Sequence, residues 1–426
     1  MLVRMIFTPP MENIEEQATL LVTGLLVDLE ILHTIRNTRY LLPRTPIPKH
    51  SNLHLVQKYA EDVLFQDRFE SMLRVSPYVY EVLINLLGDH AAFQSHSHRQ
   101  QTPVWIQLAI TLYRLGHYGN SASVRDVARN FGFSEGAVEK FTRRCFTAFE
   151  SLHNLVVRPL TQEEKEVEKR WIDTHVGFRG LWREGWVMYD GTIVALHERP
   201  GFNGDAYFTR KSNYGLNVQV GGMAMTPFGR AQTRLRQIGN VPSNLRIVDY
   251  SHGFTGSAHD SAAFQHTAAA RFPDWFFNGQ EFAWVDSAYA LTVRTIPVHK
   301  EPASRLRQNA IFDKAVSRLR VRSEHCMGAL KGRFQCLRGL RIKINNHNDH
   351  REAMRWISVV IILHNLIIEI EGGGDVRREW EDGETGEGNG EGNDETTEDE
   401  DEDDPAVSKR NQLIAELLWA KYHERL

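Results

Sequence analysis

The stretch EFAWVDSAYAL, Glu281 to Leu291, carries the clearest strand signal in the chain. Phe282, Ala283, Trp284 and Val285 form a short apolar run that ends on Asp286. Such a run fits a strand buried on both faces. A carboxylate at its end must be solvated, paired or bound to a metal. The pattern occurs earlier in GWVMYDGTIVAL, Gly185 to Leu196, where Val187, Met188 and Tyr189 lead into Asp190. Two more β-rich runs lie between these, Tyr214–Met225 and Leu245–Ser251, and a short fifth follows at Thr295–His299. Helices are expected at Ser261–Ala270, Ile311–Phe334 and Asp349–Glu369. That order predicts an α/β fold, a mixed sheet with flanking helices.

A third acid, Glu324, sits in the long helix among Arg318, Arg320 and Arg322 on one side and Lys331 and Arg333 on the other. Taken singly, each acid is ordinary. Asp after a strand begins a turn, and Glu on a helix faces water. Together, two acids on strands and one on a later helix can converge at one end of a sheet. Such a set suits Mg²⁺ or Mn²⁺, hard ions that prefer oxygen ligands. Two divalent ions there would activate a water and stabilise the leaving oxygen of a phosphodiester. Asp249, in the Leu245–Ser251 run, competes for the second position.

Upstream, residues 61–160 read as helices, with apolar spacing of three and four at Pro77–Leu87 and Val104–Leu115. Ser123–Arg144 has the layout of a helix-turn-helix. Ala128 is small at the crossing, Gly132 suits a turn with positive φ, and Ser134 suits an N-cap. Val127, Phe131, Phe133, Val138 and Phe141 fall at core spacing. Arg125, Arg129, Lys140, Arg143 and Arg144 offer positive charge to phosphates. The segment reads either as a DNA-contacting unit or as a plain helical hairpin.

The net charge of −4 hides an asymmetry. Residues 371–404 carry 17 acids against two arginines, and the rest carries 48 bases against 37 acids, net +11. A basic body suggests a polyanionic partner. Glu301–Lys343 alone holds 11 bases and three acids. The acidic segment 371–404 is expected to be disordered, with an amphipathic helix after it at 405–426 presenting Leu413, Leu417, Leu418 and Tyr422. Residues 1–60 read as a helical extension, Ala18–Arg36, and a Pro-rich linker, Pro43–Lys49. Three cysteines without a CxxC pair exclude a zinc finger or disulfide scaffold. His96 with His98 is read as a loop and not a metal site, and His347 with His350 as a structural polar turn. No membrane span is expected. Trp356–Ile370 is short and contains His364 and Asn365, and Ala18–Val27 follows Glu12, Glu15 and Glu16, where a secretion signal wants positive charge.

The pieces MYDGT around Asp190, GSAHDSAAF around Asp260, VDSAYAL around Asp286, RVRSEHCMGALKGRFQCLRGLRI around Glu324 and VIILHNLII near the end have a family's order and spacing. The chain resembles PIF/Harbinger transposases and Harbinger-derived nucleases, a branch of the DDE superfamily, over roughly residues 60–370. The resemblance implies an RNase H-like endonuclease domain at 185–370, behind a helical helix-turn-helix domain at 61–160. It implies a triad of Asp190, Asp286 and Glu324 holding Mg²⁺ or Mn²⁺, and favours Asp286 over Asp249. It places His259 and Asp260 behind the metal ligands. Arg320, Arg322, Lys331 and Arg333 join the helix-turn-helix arginines as expected DNA contacts. The resemblance further implies double-stranded DNA as substrate, a homo-oligomer, a nuclear location and a Myb-like DNA-binding partner protein. The rival readings are a domesticated, catalytically silent DNA-binding protein and an RNA nuclease of similar fold.

Overall fold

Both aspartate-tipped runs are strands, and they lie side by side. In the computed structural model, β1 (Val187–Asp190) and β7 (Ala283–Val285) pair in parallel, with Val187 opposite Ala283 and Met188 opposite Trp284. The structure describes residues 14–37, 51–95, 100–208, 214–218, 237–251, 254–255, 264–372 and 404–423. The five-stranded sheet has the order β5 (Ile247–Ser251), β4 (Gln237–Asn240), β1, β7, β8 (Thr295–Pro297). β4 is antiparallel to both neighbours, while β8 is parallel to β7. This is the mixed sheet expected of an RNase H-like domain. Every residue of β5, β7 and β8 is buried, as strands covered on both faces must be.

Two departures from the sequence reading have local causes. The run Gly185–Leu196 is two strands, not one. The chain turns at Gly191, and β2 (Thr192–Ala195) leaves for a second sheet with β3 (Gly215–Val218) and β6 (Phe254–Thr255). β4 was not expected from QIGN, which has a glycine at its centre. That glycine is required by packing, because a Cβ on Gly239 would meet the Tyr189 ring at 2.7 Å. The start of the helix expected at Ser261–Ala270 lies outside the described residues; among those described, Phe264 is helical and one further turn forms at Ala268–Arg271.

The helical region precedes the sheet. It comprises α1 (Ile14–Asn37), α2 (Leu53–Glu61), α3 (Gln66–Leu73), α4 (Pro77–Gly88), α5 (Val104–Gly116), α6 (Val124–Phe131), α7 (Glu135–Glu150), α8 (His153–Val156) and α9 (Gln162–Val176). α1 belongs to a separate unit, Met1–Lys49. It is apolar and exposed along its length, and Ala18–Asn37 has the length and composition of a membrane-crossing helix, longer than the run read from sequence. His347–Ile370 passes the same test but is mostly buried as a core helix.

α6 and α7 are two helices joined by a short turn. Ser123 accepts from Asp126 N–H at 3.2 Å, and Ser134 accepts from Ala137 N–H at 3.3 Å. Gly132, at φ 75°, ends α6 in the left-handed region that favours glycine. Val127, Phe131 and Val138 are fully buried, and Phe133 meets Phe141 edge-on. α9 was not expected. Thr161 and Glu164 close a capping box at its start.

Two long helices complete His50–Leu426, α12 (Arg307–Arg333) and α13 (His347–Ile370). Between β5 and α12 lie the single turns α10 (Ala268–Arg271) and α11 (Pro273–Phe276). α13 carries the His364–Asn365 pair into an otherwise apolar core. Asn365 accepts from Ile247 N–H at 2.9 Å and donates to Ile247 C=O at 2.7 Å and Val156 C=O at 2.9 Å, fastening α13 to the edge strand β5. His364 Nε2 donates to Leu245 C=O at 3.0 Å. Arg355 forks onto Glu150 at 2.6 and 2.7 Å, and Trp356 packs edge-on against Phe146, so the second half of α7 is mounted on α13. α14 (Pro405–His423) buries Leu413 and Ile414, with Leu417 and Leu418 against the same cluster, while Tyr422 stays exposed. Trp182 Nε1 donates to Leu413 C=O at 2.8 Å.

Replacing Asn365 by Ala strands the Ile247 N–H and C=O in the core. Urea unfolding is expected to show a loss of about 2–4 kcal/mol, and a loss below 0.5 would contradict the fastening role. His364 gives the pH dependence a sign. Burial holds its pKa down to about 4, so the folded state resists protonation that the unfolded chain accepts near 6.5. Its contribution is fully present above 6.5 and is lost as pH falls towards 4. Between pH 7 and pH 5 the loss should be about 2 kcal/mol. In His364→Gln this part of the slope should vanish, and an unchanged slope would refute it.

Candidate active site

Asp190 is the last residue of β1, and Asp286 directly follows β7. Because these strands are parallel neighbours, both carboxylates emerge at the same sheet edge. Arg320 reaches them from α12, which packs on β1 and β7. One terminal nitrogen of its guanidinium lies 3.8 Å from Asp190 Oδ1, and the other lies 3.3 Å from Asp286 Oδ1. The side chains are 25% exposed at Asp190, 39% at Asp286 and 17% at Arg320, so the site is sheltered but open to solvent. Backbone donors orient both acids. Gly191 N–H donates to Asp190 at 2.8 Å, and Ser287 N–H donates to Asp286 at 2.7 Å.

The height of Arg320 above the sheet is set by its neighbours. Arg322 donates to Pro242 C=O at 2.7 Å and Ser243 C=O at 3.1 Å. Ser323 Oγ donates to Asn240 Oδ1 at 2.9 Å, and Cys326 Sγ donates to Leu245 C=O at 3.4 Å. These contacts tie one stretch of α12 to β4 and the turn after it. Glu324 lies four residues beyond Arg320, on the same helix face. It is exposed. Among the described residues, no three His, Cys, Asp or Glu side chains stand together as a ligand set. The structure thus brings Asp190 and Asp286 together and leaves Glu324 one helical turn away. The donor chemistry fits a hard divalent ion, since two carboxylates already share one cation.

Other expected site residues fall in different places. His259 and Asp260 lie outside the described residues, as do His96, His98 and nearly all of the acidic segment. Asp249 is structural. It is buried, accepts from Tyr189 O–H at 2.6 Å and from Ala268 and Ala269 N–H, and burial raises its pKa. His350 bonds the Tyr207 hydroxyl at 2.8 Å, and His347 packs on Phe202. Of the expected DNA contacts, Arg125, Arg129, Lys140 and Arg143 are exposed, and Arg144 is partly buried. Arg129 pairs with Asp126. The α12 cations differ from the expectation of a phosphate-facing row. Arg320 faces the aspartates, Arg322 is bound to backbone carbonyls, Lys331 donates to Ile193 C=O at 2.9 Å, and Arg333 is 3% exposed beside Glu371. Positive charge on this helix largely satisfies the fold.

Sequence reasoning also missed the support beneath β7. Glu281, just before the strand, is buried between Lys165 at 2.6 Å and Lys169 at 3.0 Å, and Lys169 reaches Glu184 at 2.6 Å. Burial opposes ionisation of Glu281, yet the two ammonium groups hold its carboxyl below the usual range. The sequence signal was weak, because Lys165 and Glu281 are 116 residues apart.

Residues 236–365 match the DDE superfamily endonuclease family. The matched span holds β4, β5, β7, β8, Asp286, Arg320 and Glu324, and it begins after Asp190. The structure supplies the connection, because β1 enters the sheet between β4 and β7 and delivers Asp190 to the same arginine. No curated protein and no solved structure matches the chain.

Proposed function

We propose that the protein is a divalent-metal-dependent DNA endonuclease of the Harbinger transposase type. The observation that carries this reading is the pair Asp190 and Asp286, at the ends of adjacent parallel strands and sharing one guanidinium, inside a sheet whose later part matches a DDE endonuclease. Asp190, Asp286 and Glu324 would hold Mg²⁺ or Mn²⁺, as two ions in the DDE scheme. Bound metal supplies activation of the attacking water and charge neutralisation at the leaving oxygen. The chain's own residues do the rest. The backbone N–H groups of Gly191 and Ser287 fix the carboxylates, and the anchored stretch of α12 sets where Glu324 enters.

DNA would be held by the outward half of α7, where Lys140 and Arg143 are exposed, with Arg125 and Arg129 on α6 beside it. Contacts of Arg355 and Trp356 join α7 to α13, which Asn365 fastens to the sheet. The same reading carries strand transfer by a freed 3′-hydroxyl, a homo-oligomer that cuts two ends together, a nuclear location and a Myb-like partner. A second reading, a domesticated protein that binds DNA without cutting it, draws support from Glu324, which stands apart from the aspartates.

Purified protein is expected to nick supercoiled plasmid with Mn²⁺ and not with EDTA. Asp190→Asn and Asp286→Asn should each lower the rate about a hundredfold or more, with thermal melting unchanged or raised. Full cutting by either variant would refute the site. DNA binding without cutting, in the wild type with metal, would favour the domesticated protein.

A further inference from the structure

Arg320 is held less well than a structural arginine. Its contacts to Asp190 and Asp286, at 3.8 and 3.3 Å, exceed the roughly 2.7–2.9 Å of a good charge-assisted hydrogen bond. The Arg355–Glu150 fork, at 2.6 and 2.7 Å, shows how a settled pair looks in this same molecule. Among the described residues, the Arg320 Nε is buried with no hydrogen-bond partner. Its backbone is anchored by Arg322, Ser323 and Cys326 on the next turn. The side chain is therefore the movable part of a fixed helix. Two carboxylates at adjacent strand ends repel each other, and the guanidinium between them offsets that repulsion.

We infer that Arg320 is a resident counter-cation that a divalent metal must displace from Asp190 and Asp286. The inference rests on the reading of those carboxylates as the metal site. Once displaced, the guanidinium remains on a sheltered face one turn from Glu324. A phosphate of bound DNA is the anion that would receive it there. Metal and DNA would then strengthen each other's binding, since each favours the arginine out of the aspartate pair, and linkage makes the effect reciprocal. Without DNA the arginine holds metal affinity down. This gives Arg320 a positioning role distinct from the phosphate contact expected from its place in a basic helix.

The test is Mn²⁺ binding to the full-length protein without DNA, followed by the loss of the free-Mn²⁺ electron spin resonance signal. Arg320→Gln keeps a polar, unbranched stem and removes the competing charge, and it should bind Mn²⁺ roughly tenfold more tightly than wild type. Arg320→Lys, which restores a charge, should return towards wild type. Adding a short duplex should tighten Mn²⁺ binding in the wild type and much less in Arg320→Gln. Thermal melting gives a second readout. Arg320→Gln should melt lower than wild type in EDTA and gain more from Mn²⁺. Unchanged or weaker Mn²⁺ binding in a folded Arg320→Gln, with binding lost in Asp286→Asn, would overturn the counter-cation role and leave the metal site standing. Absence of Mn²⁺ binding in wild type and Arg320→Gln alike, with or without the duplex, would overturn the metal site and this inference with it.

Discussion

Two like charges at the ends of neighbouring parallel strands set the terms for the rest of the structure. β1 and β7 bring Asp190 and Asp286 to one edge, and parallel pairing prevents either from turning away along the sheet. Their repulsion is offset locally, by backbone N–H donors and by Arg320. Such an arrangement is a poor device for stability, because an apolar strand end would need no compensation. Its physical value is as a place where a cation belongs.

The surrounding fold serves to hold that edge still. α12 is tied by side chains to β4 and the turn after it, and α13 to β5 through Asn365. The buried Lys165–Glu281–Lys169 group braces the start of β7, with the catalytic candidate at the other end. Breaking one ion of that group would leave a buried charge unpaired, which costs more than its intact form contributes. The helix-turn-helix is built on the same frame through Arg355 and Trp356. Nucleic-acid contact and cutting would then be joined by packed helices and not by a linker.

The parts of this design that obey local rules were legible in the sequence. Apolar runs ending on Asp190 and Asp286 marked β1 and β7, Ser123, Gly132 and Ser134 marked the helix-turn-helix, and apolar spacing marked α4, α5 and α13. The parts that depend on distant partners were not. β4 has little strand character of its own and exists because β1 and β5 flank it. α9 was not expected, and it buries Lys165, Glu168 and Lys169, with partners up to 116 positions away. The basic density of α12 looked like a surface for phosphates, and the fold uses Arg322, Lys331 and Arg333 internally. Periodicity and charge counting locate cations along a chain. They do not say which anion or carbonyl each one meets.

A divalent metal at the Asp190–Asp286 pair is the proposal on which the rest turns. Anomalous diffraction from crystals grown with Mn²⁺ tests it most directly. A manganese peak bonded to both aspartates is expected, with the Arg320 guanidinium withdrawn from between them. Crystals loaded with manganese in which Arg320 still bridges the two carboxylates, with no peak at that edge, would contradict it.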